Sequence, residues 1–164
     1  SAWMVERISE TAGIEQQGQE TLYLAGLLHS IGELVIHYCL PNKVAQYSSE
    51  LSEHVTWQEH NRYQHLLIGT HTTAVSSFVC HLWHIPKAVC DAIDSLSPMH
   101  EEQHGVLNDA LDIVDYLLFP TQQTQNSCRH ILNKYFNSET QQKTFLMNAR
   151  QMRDELVQTA NDLL

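Results

Sequence analysis

Apolar residues recur at helical spacing along most of the chain, most densely from Glu20 to Pro41, ETLYLAGLLHSIGELVIHYCLP. Leu24, Leu27, Leu28, Ile31, Leu34, Val35 and Tyr38 fall three and four residues apart there, the period of a helix face. Small residues such as Ala25 and Gly26 fill much of the rest. The pattern predicts one central helix, apolar nearly all round and buried by neighbours on several sides. Pro41 ends it, because proline lacks an N–H and clashes with the preceding turn. Two polar residues, His29 and Ser30, sit mid-run. A buried polar group without a partner costs about 1–3 kcal/mol, so this pair requires a reason. Gly26 and Gly32 each cost about 1 kcal/mol relative to Ala in a helix, which makes sense where a second helix crosses closely.

The remaining pattern is also helical. Trp3, Ile8 and Ala12 share one face, and Pro41 is well placed to open a short helix on Val44, Tyr47 and Leu51. Thr56-x-x-Glu59 has capping-box spacing ahead of a polar helix to about Leu67, which Gly69 breaks. Val75, Phe78, Val79 and Leu82 form the expected apolar face of a helix from about Thr72 to Trp83. Pro86 starts the next, burying Val89, Ala92, Ile93 and Leu96. Another opens near Asn108 and runs through Leu111, Val114, Leu117 and Leu118 to Phe119-Pro120. Residues 121–126, TQQTQN, read as a polar linker before a short helix on Ile131, Leu132 and Tyr135. Ser138-x-x-Gln141 caps a long last helix with apolar positions at Phe145, Ala149, Met152, Leu156 and Leu163. No stretch alternates with period two for long enough to make a strand. The fold class is all-α.

Composition narrows the function. The 164 residues are 43% hydrophobic, enough for one real core. Net charge is −10 and the nine Lys and Arg are scattered, which argues against a nucleic-acid surface. Cys39, Cys80, Cys90 and Cys128 lie far apart and read as free thiols in a reducing compartment. No apolar run approaches the length of a membrane span, so the expected location is the cytoplasm, with no membrane partner. Eleven histidines include His81-x-x-His84 and His100-x-x-x-His104, helical spacings that can hold zinc. Neither pair has Cys or carboxylate partners at matching spacing, so both read as surface histidines. Cys80 and Cys90 lack a neighbouring base for nucleophilic chemistry.

LAGLLHSIGELVI resembles the core motif of the HD superfamily of metal-dependent phosphohydrolases, whose pattern is roughly LLHDIGKL. The similarity is greatest to the HDOD branch, the HD-related output domains of bacterial signalling proteins. IGTHTTAVSSFVCHLWHIPKAVCDAI resembles the HDOD signature, with Trp83, Ile85, Pro86, Ala92 and Ile93 at the expected spacing. LNDALDIVDYL is similar to the family's last core helix, with Asp115 where an Ala-Asp pair is usual. The resemblance covers about residues 1–118 and weakens in the tail. It implies a multi-helix HD-like bundle over residues 1–119, with linker and C-terminal helices over 120–164 packing on that core or at an interface. It also implies that helices the family usually carries ahead of residue 1 are missing, which would leave apolar surface near Trp3 and Ile8 uncovered. That surface, or the stripe on the last helix, is expected to be buried in a homodimer. The competing reading folds the stripe back onto the chain's own core.

The resemblance implies a metal site made by an early His, the adjacent His-Asp pair and a late Asp. The metal acidifies a bound water that attacks a phosphate. Here Val5 or Glu6 stands for the early His, and the pair reads His29-Ser30. Thr72 holds the position of a further family His, with His71 one residue early and thus about 100° around a helix. The family's later His-His is Leu96-Ser97. His29 and Asp115 alone remain, whereas divalent ions take about three or more protein ligands. No catalytic residue, metal or cofactor is therefore expected. His29, Ser30, His71, Thr72 and Asp115 form a candidate vestigial pocket, either an internally bonded core feature or a small-ligand site without turnover. The implied function is a non-catalytic regulatory module in signal transduction, working through a protein partner or a ligand-dependent change of shape. The alternative is a divergent HD phosphohydrolase acting on nucleotides or cyclic dinucleotides.

Overall fold

The computed structural model describes residues 1–50, 55–98 and 105–162. Ten helices and no strand occur among them: α1 (Ala2–Thr11), α2 (Gln16–Leu28), α3 (Ile31–Cys39), α4 (Pro41–Glu50), α5 (Trp57–Ile68), α6 (Thr72–Leu82), α7 (Lys87–Asp94), α8 (Val106–Leu118), α9 (Gln122–Tyr135) and α10 (Glu139–Asp162). Local signals act as expected at several boundaries. Pro41 opens α4, and the Thr56–Glu59 capping box opens α5. Gly69 closes α5 in the left-handed conformation, with φ at 77°. The Ser138 hydroxyl accepts from the Gln141 N–H at the start of α10.

Two cores hold the bundle. The larger gathers Val5 and Ile8 of α1, Ala25 of α2, Cys80 of α6, Ile93 of α7, Ile113 of α8, Ile131 of α9 and Phe145 of α10. The smaller joins Ile36 of α3, Val44 and Tyr47 of α4, and flanking residues of α5 and α6 such as Leu67 and Val75. The C-terminal helices feed the same core as α1. Asp109 of α8, almost fully buried, receives Lys134 at 2.7 Å and Tyr135 at 2.6 Å from α9.

The expected single central helix is two helices. The chain turns at His29 and Ser30, and that turn changes which residues are buried. Ala25, Gly26, Gly32 and Ile36 face inward, while Leu24, Leu27, Leu34 and Tyr38 are exposed. Ser30 is exposed and His29 half-buried, so they are not a buried polar pair. By length and composition alone, Gln16–Cys39 is apolar enough to cross a membrane, contrary to the expectation that no run approaches a span. In the fold it is bent at His29-Ser30 and packed through its glycines against α1 and α6.

Three further expectations change. α6 buries its hydroxyl face, Thr72, Thr73, Ser76 and Ser77, along with Val79, and leaves Phe78 and Leu82 exposed. Residues 121–126 are not a linker, because Thr121 caps α9 and Gln122 begins it. The surface at Trp3 and Ile8 is covered: Ile8 is fully buried and Trp3 stacks on Phe145 of α10, ring centroids 6.2 Å apart. The two surfaces proposed for a dimer thus cover each other near Phe145. Only beyond Ala149 does α10 leave the core, with Leu156 exposed. Leu51 and Leu163 lie outside the described residues.

Both glycines mark close crossings. A Cβ on Gly26 would lie 3.1 Å from the Ala2 Cα and the Val5 Cγ2 of α1. One on Gly32 would lie 2.3 Å from the Thr72 carbonyl oxygen and 2.6 Å from the Ser76 N of α6. Backbone cannot yield as a side chain can. Gly26→Leu therefore destabilises by about 1–3 kcal/mol through overpacking. Gly32→Ala, a single methyl, lowers urea-unfolding stability by more than that. Equal stability of Gly32→Ala and the natural chain would show that α3 does not cross α6 here.

Candidate functional site

Between the two cores lies a cavity of about 290 Å³. α2 and α3 bring His29, Ser30 and Glu33 to it, α5 brings Trp57, His60 and Asn61, α6 brings Thr72 and Thr73, and α8 brings Asp115. Val55 and Phe119 complete the wall. Four of the five residues singled out from sequence thus meet in one place.

His71 does not join them. It is the N-cap of α6: its Nδ1 accepts from the Ala74 N–H at 3.3 Å and its Nε2 lies 3.4 Å from the Ser97 hydroxyl. His65 sits edge-on at 5.9 Å. Burial, aided by His65, lowers the pKa of His71, which keeps Nδ1 available as the cap acceptor. The His81–His84 pair also separates, since α6 ends at Leu82 and His84 adopts φ 56°. His100 and His104 lie outside the described residues. Among those described, no three His, Cys, Asp or Glu side chains are grouped to hold a metal ion.

One hydroxyl organises the break between α2 and α3. Ser76 of α6 accepts the Gly32 N–H at 2.8 Å and donates to the His29 carbonyl at 2.6 Å. A helix C-terminus and a helix N-terminus leave such groups without intrahelical partners, and Ser76 satisfies one of each. The His29 ring turns back on its own helix, donating Nδ1–H to the Gly26 carbonyl at 3.0 Å. Burial holds the His29 pKa below its ordinary value, partly offset by that bond, so Nε2 keeps its lone pair.

Glu33, one residue past Gly32, is the most heavily bonded group in the site. Its carboxylate accepts from the Tyr47 hydroxyl at 3.0 Å, Gln64 Nε2 at 2.8 Å, His60 Nε2 at 3.3 Å and the Thr72 hydroxyl. Burial alone would raise its pKa. The bonds from His60, Thr72 and Gln64 outweigh burial and hold the carboxyl at about 2. Asp115 lies in the opposite environment. Among the described residues its Oδ2 accepts only the Trp57 N–H at 3.1 Å, at the first turn of α5. Burial, with Asp112 and Glu59 nearby, pushes its pKa up to about 7.

These residues do not fit the metal set implied by the resemblance. Val5 is wholly buried against Gly26, and Ser30 is neutral and exposed. Glu33 is occupied by its four donors. Of that set, His29 retains what a metal-ligating imidazole needs, one nitrogen fixed on a carbonyl and the other bearing a lone pair.

Sequence reading missed Glu33, Trp57, His60 and Asn61. A signal was present: Trp57, His60, Asn61 and Gln64 recur at three- and four-residue spacing, so the "polar helix" carries one inward polar face. Asn61 and Gln64 are indeed buried.

A family model described as HDOD domain matches residues 1–97. No curated protein and no solved structure matches the chain. Asp115 and Phe119 come from outside the matched segment.

The two carboxylates predict opposite pH effects. Folded Asp115 holds its proton to about 7, whereas unfolded it loses it near 3.8, so its contribution to stability falls as pH rises between those values. Asp115→Asn keeps an oxygen for the Trp57 N–H and raises the melting temperature above neutral pH, with no gain at the acid end of that window. Glu33 contributes stability above 4.5 that is lost as pH falls towards 2, and Glu33→Gln removes that acid limb. Melting curves across pH check both. A melting temperature for Asp115→Asn below that of the natural chain above neutral pH would contradict the assignment.

Proposed function

The chain belongs to the HDOD domain family, and from that premise we propose that it is a regulatory module of signal transduction that hydrolyses no phosphoester. It acts through contacts with a protein partner, or through a change of shape when a small ligand enters the cavity. A bacterial, cytoplasmic setting belongs to the same proposal and follows from the family's signalling role. The observation that carries it is the fate of the carboxylates. Where the HD pattern has its metal-binding Asp, this chain has Ser30, and the neighbouring acid, Glu33, is bonded to Tyr47, His60, Gln64 and Thr72. Bonds of that kind position α3, α4, α5 and α6 relative to one another.

One observation favours the alternative, a divergent metal-dependent phosphohydrolase. The Nδ1–H of His29 on the Gly26 carbonyl leaves Nε2 with the lone pair a metal takes. Against it, a metal at His29 would have one remaining acid of the HD set, Asp115, already bonded to the Trp57 N–H.

Metal analysis of protein purified without chelators, with assay on a generic phosphodiester, tests the proposal. The expected result is no stoichiometric Mn, Fe, Mg or Zn and no hydrolysis, with Ser30→Asp alone creating none. Near-stoichiometric metal together with hydrolysis that Asp115→Asn abolishes would overturn it.

A further inference from the structure

Donors and acceptors around the cavity are unequally used. The Trp57 backbone N–H donates to Asp115 Oδ2 and its indole N–H to Asp112 Oδ1 at 3.3 Å. The Asn61 amide donates to the Trp57 carbonyl at 2.8 Å. The hydroxyls of Thr72 and Thr73 donate to Glu33 and Asn61, and His60 Nε2–H donates to Glu33. Each of these donors has a partner inside the protein, and the exposed Ser30 hydroxyl is the lining donor that has none among the described residues. The acceptors are different: Asp115 Oδ1 and His29 Nε2 accept nothing from the described residues. Asp115 as a whole is 7% exposed and lines the cavity.

The walls point the same way. Among the described residues no Lys or Arg lines the cavity, whereas Glu33 and Asp115 both do. Trp57 and Phe119 supply aromatic surface, which attracts cations through the ring quadrupole. An anionic group would meet carboxylates without a compensating charge. At about 290 Å³ the space is at the small end of ligand pockets and holds roughly ten water volumes. That suits one small head group.

We propose that this cavity binds a donor-rich organic cation, a guanidinium or alkylammonium group, with Asp115 Oδ1 and His29 Nε2 as its acceptors. The inference rests on the reading of the cavity as a ligand site without turnover. It reverses the charge preference expected of a phosphate pocket. The group belongs either to a free amine or to an arginine side chain of a partner.

The test is a titration of the ¹⁵N-labelled chain at pH 8, where Asp115 is ionised, with agmatine, with an arginine-containing peptide and with inorganic phosphate, followed by NMR at the Trp57 indole and Asn61 amide resonances. Saturable shifts with the cations and none with phosphate are expected. Asp115→Asn should weaken binding by about tenfold or more, since it removes the charge-assisted bond. Val55→Lys, which sets a fixed cation in a half-buried wall position, should abolish binding while circular dichroism reports an unchanged fold. Tighter binding of the peptide assigns the group to a partner's arginine, and tighter binding of agmatine assigns it to a free amine. No saturable shift with either cation, an Asp115→Asn affinity equal to the natural chain's, or binding of phosphate at these resonances would overturn the inference. Failure here, with hydrolysis still absent, leaves the regulatory reading standing. Hydrolysis of a phosphodiester defeats that reading whatever the cations do.

Discussion

The structure depends on the crossing of α3 over the first turn of α6. Gly32 permits it, because any side chain there would enter the Thr72 carbonyl and the Ser76 backbone. Ser76 fastens it, satisfying a carbonyl from the end of α2 and an N–H from the start of α3 with one hydroxyl. The break at His29-Ser30 is therefore a built joint, with both exposed helix ends bonded to the same partner. It costs little once Ser76 is in place, since the alternative is two buried groups without partners at about 1–3 kcal/mol each.

From this joint the site follows. With α3 held at that distance, Glu33 reaches Thr72 on α6, Gln64 and His60 on α5, and Tyr47 on α4. The bonds from His60, Thr72 and Gln64 outweigh the cost of partial burial and keep the carboxylate ionised. Asp115, delivered from the opposite side by α8, has one donor and two acidic neighbours, and its charge is disfavoured. The same functional group thus plays two parts. Glu33 ties helices together, while Asp115 keeps unused acceptor capacity beside an aromatic wall. The two carboxyl groups thus sit in opposite environments within one cavity.

Much of the fold was legible because its signals are local. Pro41, the Thr56–Glu59 box, Gly69 and Ser138 each act within one helical turn, so spacing alone located those boundaries. The family was legible through LAGLLHSIGELVI, which spans that joint, and through the spacing from Trp83 to Ile93. What spacing did not reveal came from tertiary context. A run as apolar as residues 20–41 reads as one helix, and the bond that breaks it comes from Ser76, more than forty residues on. Apolar residues on α6 mark its outer face, because its inner face must approach α3 closely and small hydroxyl side chains do so best. Four of the five candidate residues line the cavity, and His71 does not, because its N-cap role turns its ring away. Glu33 was overlooked because its partners lie on three other helices, which sequence does not juxtapose.

The central claim is that His29 keeps the form of a metal ligand without the company that would bind one. Long-range ¹H–¹⁵N NMR of the imidazoles, recorded before and after one equivalent of zinc, reads this directly. The account predicts a neutral His29 with its proton on Nδ1, and an Nε2 resonance that zinc does not move even where surface histidines respond. A zinc-dependent shift of the His29 Nε2 signal, lost in Asp115→Asn, would contradict it.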